Sequence, residues 1–213
     1  MADMSLTERE TKQELLATAK ELLRRGLVEG TSGNLSARLP GGNVVMTPSS
    51  VGYDCMTLDD LVVCSPDGVV VDGDRTPTTE KALHLACLER RPDIHAVIHS
   101  HALFCSMFAV AGQPIPCVIE ELDLYVGGEI PVAGYRPTGS DELAEEVSRR
   151  LGDRAAVLMA NHGLLAVARS AIDALKVTSL VERSAHIVWG ARVLGGPVPL
   201  PSAQAPGDAT RKR

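Results

Sequence analysis

Aromatic side chains are scarce in this chain: two phenylalanines, three tyrosines and one tryptophan among 213 residues. No basic run stands beside them, and the formal net charge is -6. A nucleic-acid surface needs clustered cations for phosphates and aromatic faces for bases, so that class of partner is set aside. No apolar stretch approaches the roughly 20 residues of a bilayer-spanning helix. Residues 1–12 are polar and lack the apolar centre of a secretory signal. The five cysteines (55, 64, 87, 105 and 117) are scattered, with no C-x-x-C pair, which fits reduced thiols and a cytoplasmic location. Lysine is rare as well. Its five copies (12, 20, 81, 176 and 212) lie in segments read as helix or in the tail. None sits on an apolar strand, where desolvation would activate it for Schiff-base chemistry. Internal repeats and low-complexity linkers are missing too. With 45% hydrophobic residues, the chain can bury one core, and a single domain over 1–195 is expected. A loosely ordered tail rich in Pro, Ala and Gly follows over 196–213.

What is present is well punctuated. Ser5-Leu6-Thr7-Glu8 has the form of a capping box, and Leu15, Leu16, Ala19, Leu22 and Leu23 then recur at helical spacing until Gly26. Residues 35–39 and 44–47 flank Pro40-Gly41-Gly42-Asn43, and residues 61–64 and 69–71 flank Ser65-Pro66-Asp67-Gly68. Both pairs read as antiparallel hairpins. Helices are predicted over 80–91, entered through Thr78-Thr79, and over 140–151 and 170–194, each opened by a serine. Neither layer can hide its apolar side alone. The expected architecture is therefore α/β: a mostly antiparallel central sheet covered by helices on both faces.

The chemistry concentrates on histidine. His99-Ser100-His101 ends the apolar run Ile94-His95-Ala96-Val97-Ile98, and strand periodicity points both imidazoles from one face. Two imidazoles on a buried strand are costly unless something shared satisfies them, and zinc is the commonest such partner. His162, in the glycine turn Asn161-His162-Gly163 between two apolar strands, supplies a third nitrogen. Three histidines leave a coordination position open, as catalytic rather than structural zinc sites do. A lone histidine is more often a surface or satisfied core residue, and His84, His95 and His186 are read that way. Gly30-Thr31-Ser32-Gly33-Asn34, Thr47-Pro48-Ser49-Ser50 and Thr78-Thr79 offer small hydroxyls and open backbone N–H groups to an anion. Each alone also fits an ordinary turn. Glu80 fits a plain first-turn glutamate, or a general base beside a cation site and an anion site.

Taken together, Gly-Thr-Ser-Gly-Asn-Leu-Ser (30–36), Thr-Pro-Ser (47–49), Pro-Thr-Thr-Glu (77–80), His-Ser-His (99–101) and Asn-His-Gly (161–163) resemble the class II aldolase/adducin family. The likeness runs in order over about residues 10–195. It implies a three-layer α/β/α sandwich and a homotetramer with active sites at subunit interfaces. It also implies cleavage of a phosphorylated sugar, L-fuculose 1-phosphate being the expected ketose, to dihydroxyacetone phosphate and L-lactaldehyde. By the same resemblance His99, His101, His162 and Glu80 are zinc ligands, with Mn2+ or Co2+ as substitutes, and Glu80 is also the catalytic acid/base. Gly33, Asn34, Ser49, Ser50, Thr78 and Thr79 match substrate-phosphate positions. The family's epimerases, decarboxylases and dehydratases share these parts. Its adducin-like interaction domains would lack the metal ligands, which are present here.

Two departures stand out. Ser50 occupies a position where the family's fuculose-phosphate enzyme has glycine. That enzyme also places a proton-donating tyrosine after an Ile-Pro segment, whereas here Ile115-Pro116 leads to Glu120-Glu121. A solvated turn explains this acidic pair equally well. If one of the two replaces the tyrosine at a neighbour's site, burial and its twin's charge should raise its pKa toward neutrality.

Overall fold

The computed structural model describes residues 7–198 and 200. The first helix, α1 (Glu8–Arg24), begins at Thr7, whose hydroxyl accepts from the Glu10 N–H while the Glu10 carboxylate takes the Thr7 N–H. The capping box is thus Thr7 with Glu10, two residues later than the Ser5 pattern suggested. Ser5 lies outside the described residues. Leu15, Ala19 and Leu22 recur on one side of α1 and are fully buried.

Both expected hairpins form: β1 (Asn34–Arg38) with β2 (Val44–Met46), and β3 (Val62–Cys64) with β4 (Val70–Asp72). Next come α2 (Lys81–Arg90) and β5 (Ala96–Ser100). After them lie α3 (Leu103–Val110), α4 (Glu120–Val126), β6 (Val132–Ala133), α5 (Asp141–Leu151), β7 (Ala156–Met159), β8 (Gly163–Ala168) and α6 (Ala171–Val193). The eight strands form one sheet in the order β4-β3-β2-β1-β5-β8-β7-β6, antiparallel except for the β6–β7 pair. Ser140 and Ser170 cap α5 and α6 as expected, each accepting from a backbone N–H three residues on.

Helices α3 and α4 are absent from the sequence-based reading. The first is apolar on nearly every side (LFCSMFAV), so no periodicity marks it. The second has only seven residues, closed by Gly127 in the left-handed region at φ +95°.

Strand alternation divides the core in two. Leu35, Ala37, Ile98, Leu164 and Ala166 face a layer made by α1, α3, α4 and α6. Val97, Leu165 and Val167 face the layer made by α2 and α5. That second face carries three buried polar residues at the sheet's centre, Asn34 and Ser36 on β1 and His99 on β5, which pairs directly opposite Asn34. Buried polar groups persist only when paired. Helix α2 brings the partners. Among the described residues, no helix is long and apolar enough to cross a membrane.

Candidate active site

His99 lies on a central strand, His101 one residue past its end, and His162 in the β7–β8 turn. Their ligand nitrogens all lie within 4.8 Å of one another, with His99 Nε2 2.9 Å from His101 Nε2. The buried His99 ring is oriented from behind, its Nδ1–H donating to the Leu164 carbonyl at 3.1 Å. That leaves Nε2 as a lone pair aimed at the cluster. Burial, followed by the other imidazoles, pushes His99 well below its ordinary pKa. Burial and then His162 push His101 the same way. Neutral imidazoles facing one another are poised for a cation.

The carboxylate arrives from α2. Glu80 caps that helix, where the aligned peptide dipoles favour a negative charge. Its Oε2 lies 3.4 Å from His99 Nε2 and its Oε1 3.7 Å from His162 Nε2. Oε1 is buried and has no hydrogen-bond partner among the described residues. An orphaned carboxylate oxygen beside His162, at the edge of a three-imidazole cluster, fits a divalent metal, which would use the lone pairs that the protein leaves unpaired.

Close approach around this cluster needs glycine. A Cβ on Gly163 would lie 2.5 Å from the Ser100 carbonyl, 3.2 Å from the His101 ring and 3.3 Å from the His99 ring. Gly163→Ala should therefore push the imidazoles apart. We expect a stability loss of about 1–3 kcal/mol from overpacking, together with reduced metal content, checked by thermal melting and metal analysis. An unchanged melting temperature with full metal content would contradict the packing argument.

The hydroxyl-bearing loops converge beside Glu80. The 47–50 and 76–80 segments run side by side, joined by a Pro48–Pro77 bridge and by Ser49 N–H to Thr76 O and Thr78 N–H to Thr47 O. Thr47 also ties in β1, its hydroxyl accepting from the Leu35 N–H. Ser49, Ser50, Thr78 and Thr79 thus share one end of the sheet with Gly33 and Asn34. Ser50 adopts φ +61°, the left-handed region that glycine enters freely and other residues seldom occupy. Ser50, read from the sequence as a departure from glycine, keeps a glycine-like backbone here.

Glu120 and Glu121 behave differently. They open α4, and within one chain Glu121 lines a separate groove with Arg91, Asp123 and Lys176. Within one chain Glu121 shows the opposite direction from the upward shift expected of a glutamate serving a neighbour's site. Its own backbone N–H, and then Arg183 at 3.2 Å, hold the carboxyl below its ordinary value.

His84, set aside from sequence, is indeed a satisfied core histidine. It is fully buried, with Nδ1 2.7 Å from the Ser36 hydroxyl and Nε2 2.5 Å from Asn34 Oδ1. Asn34 Nδ2 in turn donates to Glu80 Oε2 at 2.8 Å. Two spacings could have exposed this link: Asn34-x-Ser36 at strand period and Glu80-x-x-x-His84 at helix period. Burial pushes His84 down to about 4. In the unfolded chain it would titrate near 6.5 and take its proton first, so stability is complete above pH 6.5 and declines as pH falls toward 4. The loss amounts to about 3 kcal/mol. Denaturation midpoints at pH 7 and 4.5 should therefore fall less in His84→Gln than in the parent. Equal declines would remove His84 as the origin.

An α/β domain with a three-imidazole, one-carboxylate cluster at the sheet's centre and hydroxyl-rich loops beside it is the class defined by these observations. Comparison with known proteins makes the assignment more specific. The chain belongs to the Class II Aldolase and Adducin N-terminal domain family, which matches residues 13–189. It is 34% identical over 191 residues to a 5-deoxy-D-ribulose 1-phosphate aldolase from Bacillus thuringiensis serovar kurstaki, covering 89% of each chain. An L-fuculose phosphate aldolase from Escherichia coli O6:H1 is 33% identical over 188 residues, covering 88% of this chain and 86% of that one. Among solved structures, an L-fuculose 1-phosphate aldolase superposes with a TM-score of 0.88 at 34% identity, covering 94% of both chains.

Proposed function

We propose that the chain is a zinc-dependent aldolase acting as a single domain on a ketose 1-phosphate, with L-fuculose 1-phosphate as the leading substrate. The observation that carries this reading is the convergence of His99, His101 and His162 on Glu80, whose Oε1 has no other partner. Three imidazoles and a carboxylate suit zinc, and Mn2+ or Co2+ are the substitutes to test. The printed names of the relatives support the substrate class, since two of the three specify a sugar 1-phosphate and all three an aldolase.

When bound, the metal supplies Lewis acidity toward the substrate's keto group. The protein's own residues do the rest. Ser49, Ser50, Thr78, Thr79 and the Gly33–Asn34 backbone bind the phosphate and fix the ketose relative to Glu80. As the C4 hydroxyl gives up its proton, to Glu120 or Glu121 of a neighbouring copy or to solvent, its oxygen becomes the carbonyl of L-lactaldehyde, the C3–C4 bond breaks and the electron pair stays on the three-carbon fragment. Glu80 delivers a proton to C3 of that fragment to give dihydroxyacetone phosphate, and takes it back in the synthetic direction. In the described residues the chemistry-bearing lysines of a Schiff-base route are missing from this site: Lys12 and Lys20 lie on α1, Lys81 on α2 and Lys176 on α6.

Assembly into a homotetramer, in a cytoplasmic setting, is part of this proposal. Exposed Leu103, Met107 and Val110 on α3, with Trp189 and Val193 on α6, support an apolar contact between copies. Glu120 or Glu121 would reach a neighbour's site only in such an assembly. Light scattering tests the oligomer, and an active monomer would refute it. The reaction is tested by incubating metal-loaded protein with L-fuculose 1-phosphate and 5-deoxyribulose 1-phosphate and identifying products by mass spectrometry. Dihydroxyacetone phosphate plus the matching aldehyde is expected. An epimer, or a decarboxylated or dehydrated product, would replace the aldolase reading with another chemistry.

A further inference from the structure

The geometry points to His84 as a positioning residue that fixes Glu80 through Asn34, so that Oε2 is engaged by Asn34 beside His99 and Oε1 is held unpaired toward His162. The donors and acceptors leave little freedom. A carboxylate can only accept, so Asn34 must present its amide N–H groups to Glu80 Oε2, 2.8 Å away. Asn34 Oδ1 then faces His84 Nε2, which must carry a hydrogen to donate. Ser36 holds the opposite ring nitrogen at 2.7 Å. The four side chains are buried, and both ends are anchored: Asn34 and Ser36 two residues apart on β1, Glu80 and His84 four apart at the start of α2.

This closed circuit explains two otherwise separate facts. Glu80 Oε2 has a strong protein partner while Oε1 has none. Without the imidazole, Asn34 could turn its amide or swing aside, and the carboxylate would lose the restraint that separates its two oxygens. Partners one step behind a metal ligand typically change metal affinity or activity by about 10- to 100-fold. His84 acts one step further back, and its influence passes through Glu80.

The inference rests on the metal-dependent reading of the site, and its test is independent of any substrate. Zinc affinity is measured by chelator competition on the full chain for His84→Leu and Asn34→Ala, each made with Glu80 intact and again in a Glu80→Ala background. With Glu80 present, both should weaken zinc binding by about 10-fold. In the Glu80→Ala background neither should add a further loss. His84→Gln, whose amide can still donate to Asn34 and accept from Ser36, should recover most of the affinity. Equal losses in both backgrounds, or no loss with Glu80 intact, would overturn the proposal. Should His84→Leu fail to fold, Asn34→Ala carries the same cycle, since it only shortens a side chain. Absence of ketose-phosphate cleavage in the parent would count against the aldolase reading and leave this cycle intact.

Discussion

Replacing any one of His99, His101 and His162 with alanine is expected to strip most of the bound metal and turnover from the protein. Each substitution removes one of the four donors that His99, His101, His162 and Glu80 provide, in a site whose remaining donors are placed for the full set, and the expected loss of metal affinity is about 100-fold. The three positions are not equivalent in the structure. His99 is buried and donates to the Leu164 carbonyl, so its loss also leaves a cavity and removes a hydrogen bond in the middle of the sheet. His101 is exposed and His162 half-buried, so their removal should spare stability while emptying the site. Metal analysis beside an activity assay and a melting curve separates the two effects. Full turnover by rigorously chelated protein would end the metal-dependent reading. Covalent trapping of a lysine by borohydride and substrate would put the Schiff-base route in its place.

Glu80→Gln should leave the fold standing and suppress proton transfer. Glutamine has the same shape and its carbonyl can still accept from Asn34, yet it cannot take up or release a proton at the reacting carbon. Removal of a general base typically costs about 100- to 10,000-fold in rate. Exchange of the C3 proton of dihydroxyacetone phosphate with solvent, followed by NMR, measures that step without the aldehyde. Near-parental exchange in folded Glu80→Gln would dismiss the carboxylate as the base.

Much of this molecule is legible in its sequence because the determining signals are local. The turn sequences Pro40-Gly41-Gly42-Asn43 and Ser65-Pro66-Asp67-Gly68 place two hairpins, and Ser140 and Ser170 open the helices that they cap. The histidines could be grouped because a strand and a glycine turn set their directions. Other features depend on tertiary partners. Nothing near Leu103–Val110 distinguishes a helix from a buried strand, since both read as continuous apolar runs. The environment of Glu121 is set by Arg183, far along the chain on α6. His84 reads as an isolated core residue until β1 pairs with β5 and α2 packs above them. Its role belongs to the juxtaposition.

The position of β1 in the sheet has a further consequence, for assembly of the molecule. Strands β4, β3, β2 and β1 are neighbours in both sequence and space, and so are β7 and β8, whereas the β1–β5 contact joins residue 34 to residue 99. The cluster straddles that seam: Asn34 and Ser36 stand on one side and the three ligating histidines on the other, with α2 spanning both. Such a long-range pairing is slow to close, because loop entropy must be overcome before any contact rewards it. The three histidines all stand on the β5–β8 side, so a metal ion would reach across the seam only through Glu80, whose Oε2 is tied to Asn34 on β1. Its binding energy would fall on the β5–β8 pairing, itself a long-range contact between residues 100 and 164, and would reach β1 through that one carboxylate.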